Sequence, residues 1–177
     1  MKKEEMKSIR PLIVSYSYSG NTQRIAREIQ TVTGGDWSEI YPWQPYPMAF
    51  PELLEQVRRE IRSGCRPRLL ENFRSPRPYG VIFVGSSNWC GTIAPPLASW
   101  ICRHDLTGKI LLPFYSHCGG MAGDFRGDIA RLCPRADVRE PLGIADKDGG
   151  YLPEILQQWF SRTGVAGILE WKEKEEV

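Results

Sequence analysis

Apolar and polar positions along this chain switch between two periods, and the switch repeats from one end to the other. An apolar run from Pro11 to Tyr16 predicts a first strand, after which Ile25, Ile29 and Val32 recur at helical spacing as far as Gly34-Gly35. A short second strand is expected around Trp37 to Tyr41, then a helix with Leu53, Leu54, Val57 and Ile61 on its inner face. Gly80 to Val84 is the most continuous apolar stretch and predicts a third strand near the sheet centre. The next helix begins near Pro95-Pro96, where proline suits a first turn, and buries Leu97, Trp100 and Ile101. Ile110 to Phe114 is the fourth strand, Phe125, Ile129, Leu132 and Cys133 mark a helix, and Ala136 to Leu142 is the fifth strand. The last helix carries Leu152, Ile155, Leu156, Trp159 and Phe160 on one face. Alternation of this kind predicts an α/β fold, a doubly wound three-layer sandwich in which helices cover both faces of a parallel sheet.

Composition narrows the class. A chain of 177 residues with 41% hydrophobic content suffices for one well-buried core and is short for two domains. The expectation is a single domain over 1–177, with its core at about 10–162 and solvated tails at 1–8 and 171–177. A net charge of +2 argues against a nucleic-acid surface. The five cysteines form no CxxC pair and are odd in number, so neither a disulfide framework nor a zinc site is expected. No apolar core of signal-peptide length follows Met1 to Lys7, and no run of about 18 apolar residues occurs. A soluble protein of a reducing cytoplasm, without membrane or metal, is the expectation.

The candidate chemistry lies where strands run out. Ser17-Tyr18-Ser19-Gly20-Asn21-Thr22 joins the first strand to the first helix, so hydroxyls and backbone N–H groups at a helix N-terminus can converge on an anion. It has no lysine, as a nucleoside-triphosphate loop would, and no spaced glycines, as a dinucleotide loop would. A turn plus helix cap is the alternative. Two further glycine-, hydroxyl- and amide-rich loops follow the third and fourth strands: Ser86-Ser87-Asn88-Trp89-Cys90-Gly91-Thr92, and Ser116 to Gly123. In a doubly wound sheet ligands sit beyond the carboxyl ends of the strands, so the three loops are expected to converge. Trp89 either stacks on a ligand ring or packs into the core. His117 and Cys118 are the residues of the third loop with acid–base or nucleophilic chemistry.

Read together, these loops resemble those of the flavodoxin family over roughly residues 10 to 160. Ser17, Ser19, Gly20, Asn21 and Thr22 match the family's hydroxyl-x-hydroxyl-Gly-x-Thr loop. The likeness is closest to short flavodoxin-like proteins with Gly-x-Pro-x-Trp-x-Gly after strand three and Pro-Phe-x-Thr/Ser-x-x-Gly-Gly after strand four. Gly85, Trp89 and Gly91 match the first pattern, Pro113, Phe114, Ser116, Gly119 and Gly120 the second, and Tyr46-Pro47 resembles a Tyr-Pro before the second helix. Ser87 departs from the family's proline and Cys90 from a common aromatic.

The resemblance implies a five-stranded parallel sheet of order 2-1-3-4-5, the flavodoxin arrangement that exemplifies the switch-point rule, and FMN as cofactor. Ser17 to Thr22 would hold the phosphate; Ser86 to Thr92 on one side, and Ser116, His117, Gly119 and Gly120 on the other, would hold the ring. The implied role is an electron carrier, or an NAD(P)H-dependent reductase of quinone-like acceptors. A redox protein, or NAD(P)H with a small-molecule acceptor, would be the partner, and the chain a monomer or homodimer. The missing acidic field leans toward reductase. A flavin-free binding or regulatory module on the same fold is the alternative, motivated by Ser87 and Cys90.

Three other patterns compete. Cys133 and Arg139 fit the Cys-x5-Arg loop of tyrosine phosphatases, but no glycine shapes an anion cradle and Glu140 follows, so a chance match is expected. Arg58, Arg59, Arg62, Arg66 and Arg68 suit an acidic partner, a phosphorylated cofactor or simply a solvated helix face. The proline and aromatic run within Trp37 to Phe50 suits a lid, a dimer contact or plain packing.

Overall fold

In the computed structural model, which describes residues 9–119, 123–146 and 151–169, strand and helix alternate in the expected sequence. The elements are β1 (Leu12–Tyr16), α1 (Asn21–Thr33), β2 (Asp36–Glu39), α2 (Phe50–Ser63), β3 (Val81–Trp89) and β4 (Thr92–Ile93). There follow α3 (Pro95–Cys102), β5 (Ile110–His117), α4 (Phe125–Leu132), β6 (Asp137–Val138), β7 (Leu142–Ala145) and α5 (Leu152–Thr163). The expected tails at 1–8 and 171–177, and Gly120, lie outside the described residues.

The pleat of each central strand feeds two separate cores, because successive side chains leave a strand on opposite faces. Leu12, Val14, Tyr16, Ile82, Val84 and Leu111 point to one face, where α2, α3 and α4 cover them with Leu53, Val57, Leu97, Trp100, Ile101 and Ile129. Ile13, Val81, Phe83, Leu112 and Phe114 point to the other, beneath Ile25, Ile29 and Val32 of α1 and Leu156, Trp159 and Phe160 of α5. Burial on both faces accounts for strands that read as unbroken apolar runs. The sheet is therefore the middle layer of three. Among the described residues no helix is long and apolar enough to cross a membrane.

The parallel order is β2-β1-β3-β5-β6, with β7 also on β5 and β4 antiparallel on β3. Taking β6 and β7 as one interrupted edge strand recovers the expected 2-1-3-4-5 order, with its reversal between β1 and β3. The expected fifth strand, Ala136 to Leu142, is thus corrected to two short pieces. Their register explains the break: Val138 pairs with Leu111 and Leu142 with Phe114, so Arg139, Glu140 and Pro141 oppose only Leu112 and Pro113. The Leu111 and His117 carbonyls both accept bonds from the edge, from Arg139 and Asp146, so the intervening Pro113 faces the same way and offers no N–H there. One extra residue bulges out where β5 lacks its donor.

Candidate functional site

At the reversal point, β1 ends at Tyr16 and the chain turns through the Ser17 to Thr22 loop into α1. Gly20 is the N-cap, held left-handed at φ 91°, and no side chain caps the helix. A helix start leaves its first N–H groups without intrahelical partners and carries a partial positive charge. Two of the loop's hydroxyls are engaged locally: Ser17 Oγ accepts the Gly20 N–H at 3.1 Å, and Ser19 Oγ accepts Asn21 Nδ2 at 3.2 Å. No acidic residue occupies the first turn of α1. The Glu39 carboxylate at the end of β2 already accepts Gln23 Nε2 at 3.0 and 3.2 Å and the Tyr41 hydroxyl at 2.6 Å. That last bond is the main reason the Tyr41 pKa is raised to about 12. The loop is thus both a turn with a glycine N-cap and a helix start with donors and no nearby negative charge of its own, a combination compatible with an anion.

The segment after the third strand is not a loop. β3 runs past the sheet to Trp89 and folds back as β4, with Asn88 opposite Ile93 and Trp89 opposite Thr92. A two-residue turn, Cys90 at φ 53° and Gly91 at φ 83°, closes this hairpin. Positive φ at both central positions is the turn that matches strand twist, and it favours asparagine or glycine. Cys90 is the sole non-glycine residue at positive φ among the described residues, a conformation costing about 1 kcal/mol.

The hairpin is pinned from three sides. Ser86, fully buried, donates to the Ser87 carbonyl at 3.0 Å and accepts the Ala94 N–H at 3.1 Å, so it braces the hairpin from beneath. The Gly91 carbonyl lies so close to Gly123 that a Cβ there has no room. Thr92 donates to the Asp128 carboxylate of α4. Gly91 and Thr92 therefore face the loop after β5 and α4.

Trp89 combines both readings offered by the sequence. It lines a cleft, and it also packs edge-on against Tyr46, Tyr16 and Tyr18 at centroid distances of 4.9, 5.5 and 5.9 Å. Tyr46 donates to Glu60 of α2 at 2.6 Å, and Tyr18 to the Pro47 carbonyl at 2.7 Å, so the strap before α2 is tied to this cluster. Burial raises the pKa of Tyr16 and Tyr46 well above the ordinary value, with Glu60 adding to the effect for both.

The loops do converge. Thr22, buried at the base of α1, shares a 2.9 Å hydrogen bond with Ser116 at the end of β5, and Ser116 pairs in register with Ser87. Between them lies a cleft of about 330 Å³. Tyr18, Ser19, Ser87, Asn88, Trp89 and Cys90 line it from the first loop and the hairpin, and Ser116, His117 and Cys118 from the end of β5. His117 Nδ1 accepts the Gly119 N–H at 3.2 Å, with Gly119 left-handed at φ 85°. Ser17, Gly20 and Asn21 stand at the helix end beside the cleft, and Gly120 lies outside the described residues.

Two components of the wall carry no signal in the local motifs. Phe50, Leu53, Leu54 and Val57 of α2 form an apolar side, and Asp146, just past β7, forms a polar one. The Asp146 Oδ1 atom is buried without a hydrogen-bond partner among the described residues, while its N–H donates to His117 O at 2.7 Å. The α2 face was visible as a helical stripe, but the stripe does not say that it borders a cleft. Asp146 had no sequence signal at all.

The phosphatase pattern is inert as expected: Cys133 is buried, its thiol bonds Ile129 O at 3.0 Å, and burial raises its pKa to about 11. Among the described residues no cluster of three or more His, Cys, Asp and Glu could hold a metal.

A family model described as Flavodoxin matches residues 10–162. Among solved structures, a candidate flavoprotein from Bacteroides eggerthii DSM 20697 superposes with a TM-score of 0.79 and 22% identity, over 89% of this chain and 99% of that one. A flavoprotein in complex with FMN from Lactobacillus acidophilus NCFM superposes with a TM-score of 0.68 and 16% identity, over 86% of this chain and 99% of that one. No curated protein matches the sequence. The structural likenesses establish a shared fold, and the family match spans nearly all of the described sheet and its helices. The chain belongs to the flavodoxin family.

Proposed function

We propose that this protein binds FMN and exchanges electrons through it, as a carrier or as an NAD(P)H-dependent reductase of quinone-like acceptors. The observation that carries the proposal is an uncapped helix N-terminus beside a cleft with an aromatic wall, which suits a ligand with an anionic group at one end and a ring at the other. Backbone N–H groups at the start of α1, with Ser17, Ser19, Asn21 and Thr22, hold the phosphate. Trp89 and the α2 residues exclude water from the ring, and the buried Asp146 Oδ1 supplies an acceptor for an N–H on its polar edge. Bound FMN would supply one- and two-electron chemistry, tuned by stacking and hydrogen bonding, so no protein nucleophile is needed. An FMN-bound relative with the same fold supports the choice of cofactor. Both apolar cores share one sheet, which supports reading residues 1–177 as a single domain.

The visible spectrum of the purified protein, with FMN titration of the apoprotein, tests this directly. Yellow protein or stoichiometric uptake is expected; a colourless protein that takes up no FMN would favour the flavin-free module. Anaerobic stopped-flow mixing with NADH and NADPH then separates the two roles, since a pure carrier is reduced negligibly by either.

A further inference from the structure

Between residues 58 and 68 the chain places five arginines and a single glutamate. Arg58, Arg59, Arg62, Arg66 and Arg68 are all exposed, and none forms an ion pair among the described residues. Of the nearby carboxylates, Glu60 accepts Tyr46 and Gln56 and Glu71 is held by Arg103 at 2.6 Å, while Glu52 and Glu55 precede the arginines on α2 and leave the face with a basic excess.

This charge lies beside exposed apolar surface. Trp43 is 55% exposed, Met48 91% and Phe50 70%. The strap is not loose: Trp43 N donates to Arg68 O at 2.7 Å, Leu70 N to Tyr41 O at 2.9 Å, and the Arg68 guanidinium covers the Trp43 ring at 4.4 Å. Phe50 also lines the cleft, so the surface reaches its mouth, and the arginines begin one residue after Val57 of the cleft wall.

We propose that this face, α2 with the strap before it, docks an acidic redox protein; the proposal rests on the redox reading of the cleft. Tryptophan, methionine and arginine are residue types enriched at interfaces, with phenylalanine, and guanidinium groups that form no ion pair among the described residues are matched by carboxylates on the partner. A second copy is a poor occupant, because a two-fold contact would set arginines against arginines. The surface steers the partner to the cleft mouth, where its cofactor comes within reach of the flavin.

The test uses the full FMN-loaded chain and a reduced acidic plant-type ferredoxin, with flavin reduction followed by stopped flow from low salt to about 0.5 M salt. The second-order rate should fall about tenfold or more across that range, and R58E/R62E should lower the low-salt rate by a similar factor. R135E, an exposed charge at the opposite sheet edge, should leave it within about twofold. A rate indifferent to salt and to R58E/R62E, or equally lowered by R135E, overturns the proposal. So does protection of the face by adenosine 2′,5′-bisphosphate, or binding to phosphatidylserine vesicles that R58E/R62E abolishes. FMN uptake is measured first. If no flavin binds, the redox reading fails by itself, and calorimetric titration with the oxidised ferredoxin still decides the docking: R58E/R62E must lose binding that R135E keeps.

Discussion

The loop after β1 and the hairpin that ends β3 stand side by side with similar compositions and opposite constructions. The first is largely a local object: six consecutive residues, a left-handed glycine and a helix start define its backbone, with distant bonds from Tyr18 to Pro47 and between Thr22 and Ser116. The second depends on distant partners. Its strand is held by β1 and β5, its base by Ser86, and its tip by Gly123 and Asp128. The difference teaches that one edge of a sheet can be assembled from a locally formed helix start and a wall whose shape is set by packing.

The largest expected effect breaks the wall. Gly85 sits opposite Phe114 in register, and a Cβ there would fall 2.2 Å from the buried Phe114 ring. Gly85→Ala is expected to cost about 2–3 kcal/mol of stability in urea unfolding. A loss under about 0.5 kcal/mol would mean that Phe114 yields freely and the wall is less fixed than its register implies.

Next comes the link from the loop to the end of β5, the strand that holds the hairpin's base. Thr22→Ala removes the partner of Ser116 Oγ and a hydroxyl at the helix start, so FMN affinity should weaken by about 1–3 kcal/mol and stability by about 1 kcal/mol. Asn21→Ala, which removes a side chain bonded to Ser19, should weaken affinity and spare stability. Fluorescence titration with FMN and urea unfolding read both, and unchanged affinity in the two variants would detach the loop from the cofactor.

The tyrosines beneath Trp89 give a pH signature. Burial raises Tyr16 and Tyr46 above the ordinary 10.0, so the unfolded chain loses these protons first. Their stabilising contribution is full below about pH 10 and declines above it, by up to about 1.4 kcal/mol per pH unit for each tyrosine. Unfolding free energies across that range, with tyrosinate absorbance, check it. Two tyrosines titrating normally in the folded protein would show the cluster to be open to solvent.

The smallest effect sharpens the turn. Cys90→Asn places a residue suited to positive φ before Gly91 and should stabilise the protein by about 0.5 kcal/mol in the same assay. A destabilised variant would mean that the Cys90 side chain contributes packing beyond its backbone role.

Much of this was legible in advance. The order of elements, the two-faced sheet and the Ser17 to Thr22 helix start depend on residue periods and turn residues, which are local properties. The hairpin was less so: Ser86 to Thr92 has the residues of a loop, and pairing with β1 and β5 at its base and of Asn88 with Ile93 and Trp89 with Thr92 beyond it makes it strand. The split edge strand needed Pro113, a residue 28 positions before Pro141, to be placed opposite it. Asp146 gave no sign because a single aspartate after a short strand is ordinary until its Oδ1 atom is found buried.

The sequence by itself determined that a parallel sheet would run through a hydroxyl-rich loop into a helix start, since that requires only an apolar run followed by hydroxyls, a glycine and a helical stripe. The tertiary structure decided what stands next to it: the α2 wall, the Trp89 and tyrosine cluster, the Asp146 acceptor and the basic face at the cleft mouth. Those depend on which residues from separate strands and helices meet at one edge, and the energy that selects such meetings is in packing and desolvation between distant segments.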